Sequence, residues 1–213
     1  MAADSTAAAE GAKEIDSFIS APKEPGKKAQ QPATGPQTAD LRTAEWTPAD
    51  SQDRTQLVAD ESGPQGLVNK PAPQLTLDTI GGGKLDLSSL KSKNVVVLDF
   101  WATWCPPCRK ALPILADVTK SYEAKGVKFF AVDQQEDASK VQDYLKTQGL
   151  NITVALDKDG QGAAKYRVTG IPQSVIIGKD GIVRVVHEGF SSDLKTKLAA
   201  ELDDILAGKQ VSE

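Results

Sequence analysis

The stretch Asn94-Val95-Val96-Val97-Leu98-Asp99-Phe100-Trp101-Ala102-Thr103-Trp104-Cys105-Pro106-Pro107-Cys108 decides the fold. Cys105 and Cys108 are the only 2 cysteines among 213 residues, so all the sulfur chemistry sits at one C-x-x-C. The run Val95-Val96-Val97-Leu98 reads as a strand buried on both faces. Residues 109–122 read as a helix. The two thiols therefore lie where a buried strand feeds a helix N-terminus. Unpaired backbone N–H groups and the helix dipole favour an anion there. A thiolate is such an anion, and it is the attacking form of cysteine. The spacing points to a redox dithiol.

The residues around the cysteines carry a family resemblance. Asp99-Phe100-Trp101-Ala102-Thr103-Trp104-Cys105 resembles the D-F-W-A-x-W-C signature of the thioredoxin superfamily. Pro113 matches the proline that kinks the active-site helix of that family. Gly170-Ile171-Pro172 resembles its G-I-P, whose cis-proline faces the cysteines. The resemblance implies an α/β chain with a thioredoxin fold.

Upstream of the central strand, the domain begins near Gly66-Leu67-Val68-Asn69-Lys70-Pro71-Ala72-Pro73. Leu75 and Leu77 alternate with polar residues, Gly81-Gly82-Gly83 turns the chain, and Leu85 and Leu87 alternate again. That pattern is a hairpin. Plain thioredoxin lacks such an entry. This one resembles the extracytoplasmic thioredoxins of the TlpA/ResA type. Downstream, residues 127–132 read as a second buried strand ending at Asp133. A helix follows from near Asp137 to the stop at Gly149, then a short strand over 152–156. This helix–strand unit is inserted relative to plain thioredoxin, as in the TlpA/ResA-like family. Residues 161–167 read as a short helix, and residues 174–177 and 182–188 as a second hairpin. A final helix from Ser192 or Asp193 carries the stripe Leu194, Leu198, Leu202, Ile205 and Leu206. The resemblance covers about residues 66–208.

Charge divides the chain. Residues 1–64 carry 6 Lys+Arg against 11 Asp+Glu, a net of −5, and the remainder carries 19 against 18, a net of +1. The redox part is thus nearly neutral and shows no basic stripe, so nucleic acid is not an expected partner. No apolar run approaches the roughly 18 residues of a membrane span. Met1-Ala2-Ala3-Asp4 lacks the basic and apolar regions of a signal peptide. Pro22, Pro25, Pro32, Pro36 and Pro48 interrupt any periodicity in residues 1–64. That segment reads as a disordered spacer preceding a thioredoxin-like domain over 65–213. Within it, Ile15, Phe18 and Ile19 suit one helical turn, and Trp46, Leu57 and Val58 suit docking.

Cys105 lies nearest the helix N-terminus and is the expected nucleophile. Its thiolate would form a mixed disulfide with a partner, and Cys108 would resolve it. A zinc site and inert core thiols are the alternative readings, and a tetrahedral zinc site wants four ligands. The chain offers two cysteines and the single His187, which reads as a strand surface residue. Pro106 and Pro107 remove backbone N–H groups and stiffen the loop. By resemblance they tune the redox potential. Trp104 would flank the cysteines and offer apolar surface to a docking chain, with core packing as its alternative. Asp99 is a carboxylate in an apolar strand, where burial raises a pKa. In the family it handles the proton of the resolving cysteine; a solvated strand end is the alternative. Many TlpA/ResA-like proteins place a glutamate three residues past the second cysteine, and this chain has Ala111 there. The position near Phe129 that supplies a lysine to pair with the buried Asp in thioredoxin is not a lysine in this chain. Pro172 is the expected cis-proline, and the backbone of Ile171 would pair with a bound chain like an added strand.

These readings converge on a thiol–disulfide oxidoreductase that reduces protein disulfides outside the cytoplasm. It would act as a monomer fed by an upstream dithiol reductant. It would need no cofactor beyond the Cys105–Cys108 disulfide, and no metal. A general cytoplasmic thioredoxin, an oxidase or isomerase, and a redox-regulated binding module without turnover are the rivals. A peroxidase is disfavoured, because no P-x-x-x-T-x-x-C pattern is present.

Overall fold

A computed structural model describes residues 62–211. The expectations for residues 1–61 of the spacer, for Ile15, Phe18 and Ile19, and for Trp46, Leu57 and Val58 lie outside the described residues. The last residues of the spacer, 62–64, are described, and with Pro64 buried and the Gly63 carbonyl accepting from Arg167 they belong to the folded domain. The chain enters through a 3-10 turn, Pro64–Leu67, with Pro64 and Leu67 buried. A hairpin follows, β1 (Thr76–Asp78) and β2 (Lys84–Asp86), with Leu77 opposite Leu85. Leu87 does not continue the second strand. It opens a short helix, α1 (Leu87–Leu90), because Asp86 caps it by accepting the Ser88 N–H at 3.0 Å.

The centre is β3 (Val95–Trp101), all seven residues of which are buried. After it come α2 (Pro106–Ser121), β4 (Val127–Gln134), α3 (Ala138–Gln148), β5 (Val154–Asp157), α4 (Gln161–Lys165), β6 (Gln173–Ile177), β7 (Val183–Glu188) and α5 (Leu194–Leu206). The five-stranded sheet has the order β5-β4-β3-β6-β7. β3, β4 and β5 run parallel, whereas β6 is antiparallel to β3 and to β7. The entry hairpin touches the β5 edge, where the Ile80 N–H donates to the Val154 carbonyl at 2.9 Å. This is the thioredoxin fold with the hairpin entry and the inserted α3–β5 unit.

Alternation along β3 sets both faces of the core. Val96, Leu98 and Phe100 pack with Leu85, Tyr166 and Val175. Val95 and Val97 pack with Ala111 and Leu115 of α2 and with Leu198 and Leu202 of α5. Trp101 continues that second face beside Cys108 and Leu112. A strand covered on both sides has no use for polar residues, which explains the unbroken Val-Val-Val-Leu run. Gly149 ends α3 at φ 63°, a left-handed position that glycine takes without strain.

One boundary matters for the chemistry. The active-site helix starts at Pro106, three residues before the position expected from the sequence. Proline suits the first helical turn because its φ is already helical and its missing N–H has no partner to lose. Pro113 lies inside the same helix.

Candidate redox site

The carboxyl end of β3 turns through Ala102-Thr103-Trp104 and delivers Cys105 as the N-cap of α2. Cys105 and Cys108 are joined by a disulfide, with their Cα atoms 5.3 Å apart. The backbone donors of this helix end can be followed one by one. Pro106 and Pro107 have none. The Cys108 N–H donates to Cys105 Sγ at 3.2 Å, and the Arg109 N–H donates to the Cys105 carbonyl at 3.1 Å. The side-chain cap of this helix is therefore the sulfur of the upstream cysteine.

The two cysteines are not equally covered. Cys108 is 0% exposed and Cys105 is 3% exposed, so both are buried and only Cys105 keeps a small opening. Cys105 Sγ lies 3.7 Å from the Ile171 carbonyl oxygen. Within the disulfide that sulfur has no proton to give, so this is a close approach and not a donated bond. The Ile171–Pro172 peptide is cis, as the resemblance implies. The Pro172 carbonyl accepts the Gly189 N–H at 2.8 Å, tying this turn to the end of β7. Trp104 is 63% exposed, so core packing is overturned for it. Trp104, Cys105, Ile171 and Pro172 thus meet at one end of the sheet.

Asp99 is fully buried in mid-strand, which overturns the solvated strand end. It follows Val97 and precedes Trp101 on the face that α2 covers. Its Oδ1 accepts the Ser174 hydroxyl at 2.8 Å, and its Oδ2 has no partner among the described residues. Burial pushes the Asp99 carboxyl up to about 7, against the downward pull of the Ser174 hydroxyl. Ala111 is buried on the same face of β3. His187 sits half-buried on β7 with its Nε2 2.8 Å from Glu201 Oε2, away from the cysteines. Among the described residues, no group of three or more His, Cys, Asp or Glu is placed to hold a metal ion. No helix among them is long and apolar enough to cross a membrane.

Two site residues escaped the sequence reading. Ser174 reads as an ordinary strand residue, and only the register of β3 with β6 sets it opposite Asp99. Glu136 precedes Asp137, where the helix is expected to start, and nothing in the sequence singles it out. In the structure its carboxylate is buried against Thr103, in the turn before Cys105.

Comparison with known proteins places this geometry. The AhpC/TSA family matches residues 68–186. A protein named thiol-disulfide oxidoreductase ResA, from Bacillus thuringiensis subsp. konkukian, is 35% identical over 138 residues. That match covers 65% of this chain and 78% of the relative. Among solved structures, a thiol:disulfide interchange protein of the thioredoxin family from Chlorobium tepidum TLS superposes with a TM-score of 0.57 at 30% identity. It spans 64% of this chain and 95% of its own. A secreted Mycobacterium tuberculosis disulfide oxidoreductase homologous to E. coli DsbE gives a TM-score of 0.53 at 28% identity, over 61% of this chain and 95% of its own. On the span of residues matched and on the shared fold, the chain belongs to the thioredoxin-like AhpC/TSA family.

Proposed function

We propose that the chain is a thiol–disulfide oxidoreductase that reduces disulfides of partner proteins through a mixed disulfide. The observation that carries this reading is the sulfur-capped helix end, where the Cys108 N–H points at Cys105 Sγ beside the cis-Pro172 turn. In the reduced protein that N–H and the helix dipole would stabilise a Cys105 thiolate. The thiolate attacks one sulfur of the partner disulfide. One S–S bond forms, one breaks, and the first partner thiolate leaves. Cys108, deprotonated, then attacks Cys105 Sγ, closes the Cys105–Cys108 disulfide and expels the second partner thiolate. Two electrons pass to the partner, and an upstream dithiol restores the reduced enzyme.

Trp104 and the Ile171 backbone form the apolar and hydrogen-bonding parts of the docking surface. Pro106 and Pro107 stiffen the capped loop and set the potential. No cofactor or metal takes part, and one copy of the chain suffices. The secreted relative supports a site of action outside the cytoplasm. The decisive experiment is insulin reduction with dithiothreitol as electron donor. The wild-type chain should catalyse it, and Cys105→Ser should abolish catalysis. Intact binding of a disulfide peptide without turnover would favour a binding module instead.

A further inference from the structure

The turn that delivers Cys105 is held from outside its own strand and helix. Thr103 offers two donors, and both go to Glu136 of the β4–α3 connection. The Thr103 N–H donates to Glu136 Oε2 at 2.5 Å, and Thr103 Oγ1 donates to Oε1 at 2.7 Å. Lys140, one turn along α3, places Nζ 2.6 Å from Oε1. The Glu136 side chain is 4% exposed, so a buried carboxylate here survives only while these donors stay in place. Two of its three partners belong to the active-site turn. Displacing the turn would strip a buried charge, which makes the contact a lock and not a decoration.

Beneath Glu136 lies a second acid. Asp133 is fully buried at the end of β4, opposite Trp101 of β3 and Leu156 of β5. Its Oδ1 accepts the Glu136 N–H at 3.2 Å, while Oδ2 is buried with no partner among the described residues. A carboxyl oxygen in that position fits a protonated acid better than a charged one. We propose that Asp133 and Glu136 form a proton-dependent anchor for the turn before Cys105. In it Glu136 is the positioning residue, and Asp133 carries the proton that lets the two acids sit together.

The surrounding charges fit this division. Burial and the adjoining Glu136 carboxylate push Asp133 up to about 7. Burial also acts upward on Glu136, but Lys140, the two Thr103 donors and the Asp133 carboxyl outweigh it and hold Glu136 below its ordinary value. From α3 the facing groups are Lys140 and Asp137, both of which act within this cluster. From β5, Asp157 is already engaged by the Gly162 and Ala163 N–H groups. From α2, Arg109 acts on Tyr144. Above neutral pH, Asp133 loses its proton and sets a second negative charge against Glu136. The hold on Thr103 then weakens.

This inference rests on the redox reading of Cys105, so its test uses two readouts that do not need a protein substrate. The first is the Thr103 amide resonance of the full chain, followed by NMR from pH 5 to 9. The second is the rate at which the reduced chain attacks 5,5′-dithiobis(2-nitrobenzoate). In the wild type, the Thr103 amide should titrate near neutrality. That titration should vanish in Asp133→Asn. Glu136→Gln should shift the resonance upfield at every pH and slow thiol attack at least fivefold at pH 6. Thr103→Ala should slow it similarly, and Thr103→Ser, which keeps both donors, should restore it even if Glu136→Gln fails to fold. A Thr103 titration that persists in Asp133→Asn would overturn the proton-carrying role. Wild-type attack rates in both Glu136→Gln and Thr103→Ala would overturn the anchor. Failure of insulin reduction with these effects intact would instead count against the proposed function alone.

Discussion

Ser174 Oγ donates to Asp99 Oδ1 at 2.8 Å across the β3–β6 pair, and this is the one hydrogen bond that the buried carboxyl receives from the described residues. A single neutral donor does not replace the hydration of a carboxylate. The acid is therefore neutral over much of the acidic range and ionises near pH 7. That value places it to exchange a proton under ordinary conditions, which a solvent-exposed Asp would not do.

The first consequence is a stability that falls with pH. Asp99 titrates near its ordinary 3.8 when unfolded and at about 7 when folded. Between these values the folded chain holds a proton that the unfolded chain has lost. The contribution of each such acid is fully present below about pH 4, declines by about 1.4 kcal/mol per pH unit between about 4 and 7, and is lost once pH has risen through 7. Asp133 is raised to about 7 as well and contributes with the same sign. Asp99→Asn removes one of the two, so its urea midpoint should change about half as steeply between pH 5 and 7. At pH 8 the variant should be the more stable protein. An unaltered slope in paired denaturation curves would mean that Asp99 does not carry the proton.

The cysteines should differ in reactivity. Cys108 is wholly enclosed, while Cys105 keeps a small opening beside exposed Trp104. Iodoacetamide on the reduced protein near neutral pH should modify Cys105 before Cys108. Peptide mapping by mass spectrometry reads the order, and equal or reversed labelling would contradict the assigned roles.

Where the domain begins can also be measured. The Gln65 side-chain amide donates to the Val186 carbonyl at 3.1 Å, Arg167 Nη1 donates to the Gly63 carbonyl at 3.2 Å, and Pro64 is buried. A chain starting at Ser62 should keep its melting temperature within a few degrees. One starting at Gly66 loses at least these two hydrogen bonds, worth about 1 kcal/mol each, besides the Pro64 packing. At about 2–4 °C per kcal/mol it should melt at least 4 °C lower. Equal melting of the two would show these contacts to be idle. A loss already present in the Ser62 start would assign a stabilising role to residues upstream of it.

The fold was legible because its signals are local. A both-faces-buried strand leaves an unbroken apolar run, and a hairpin leaves alternation around Gly81-Gly82-Gly83. The redox centre was legible for the same reason, since Cys105 and Cys108 are three residues apart. The Pro172 turn was found only through family resemblance, because nothing in Gly170-Ile171-Pro172 alone says which element it faces. The partners of buried acids were not legible at all. Ser174 is 75 residues from Asp99, and Glu136 is 33 from Thr103. Such pairs are fixed by strand register and by the β4–α3 turn, and no periodicity in the sequence encodes them.

The proton of Cys108 gives the most demanding prediction. To release a reduced partner, Cys108 must attack as a thiolate, and complete burial raises a thiol pKa. A base must therefore take its proton. By family resemblance two positions could supply one, and the helix position holds Ala111, which cannot. We propose that Asp99, on the β3 face that α2 covers, takes the proton alone. Its value of about 7 sets the shape of the effect. Near pH 5 Asp99 is protonated and cannot accept, so wild type and Asp99→Asn should reduce insulin at similar low rates. Between pH 7 and 8 Asp99 is ionised, and the variant should be about tenfold slower or more. Above about pH 9 the gap should narrow, because a thiol with an ordinary pKa near 8.5 or somewhat higher ionises unaided. Ala111 is packed on the same strand face, so Ala111→Glu in the Asp99→Asn background returns a carboxyl to that neighbourhood. It should recover part of the rate at pH 7.5. It should also lower the melting temperature, since a larger polar side chain enters a filled core. A rate loss independent of pH, or none, would leave Asp99 as a buried structural acid held by Ser174.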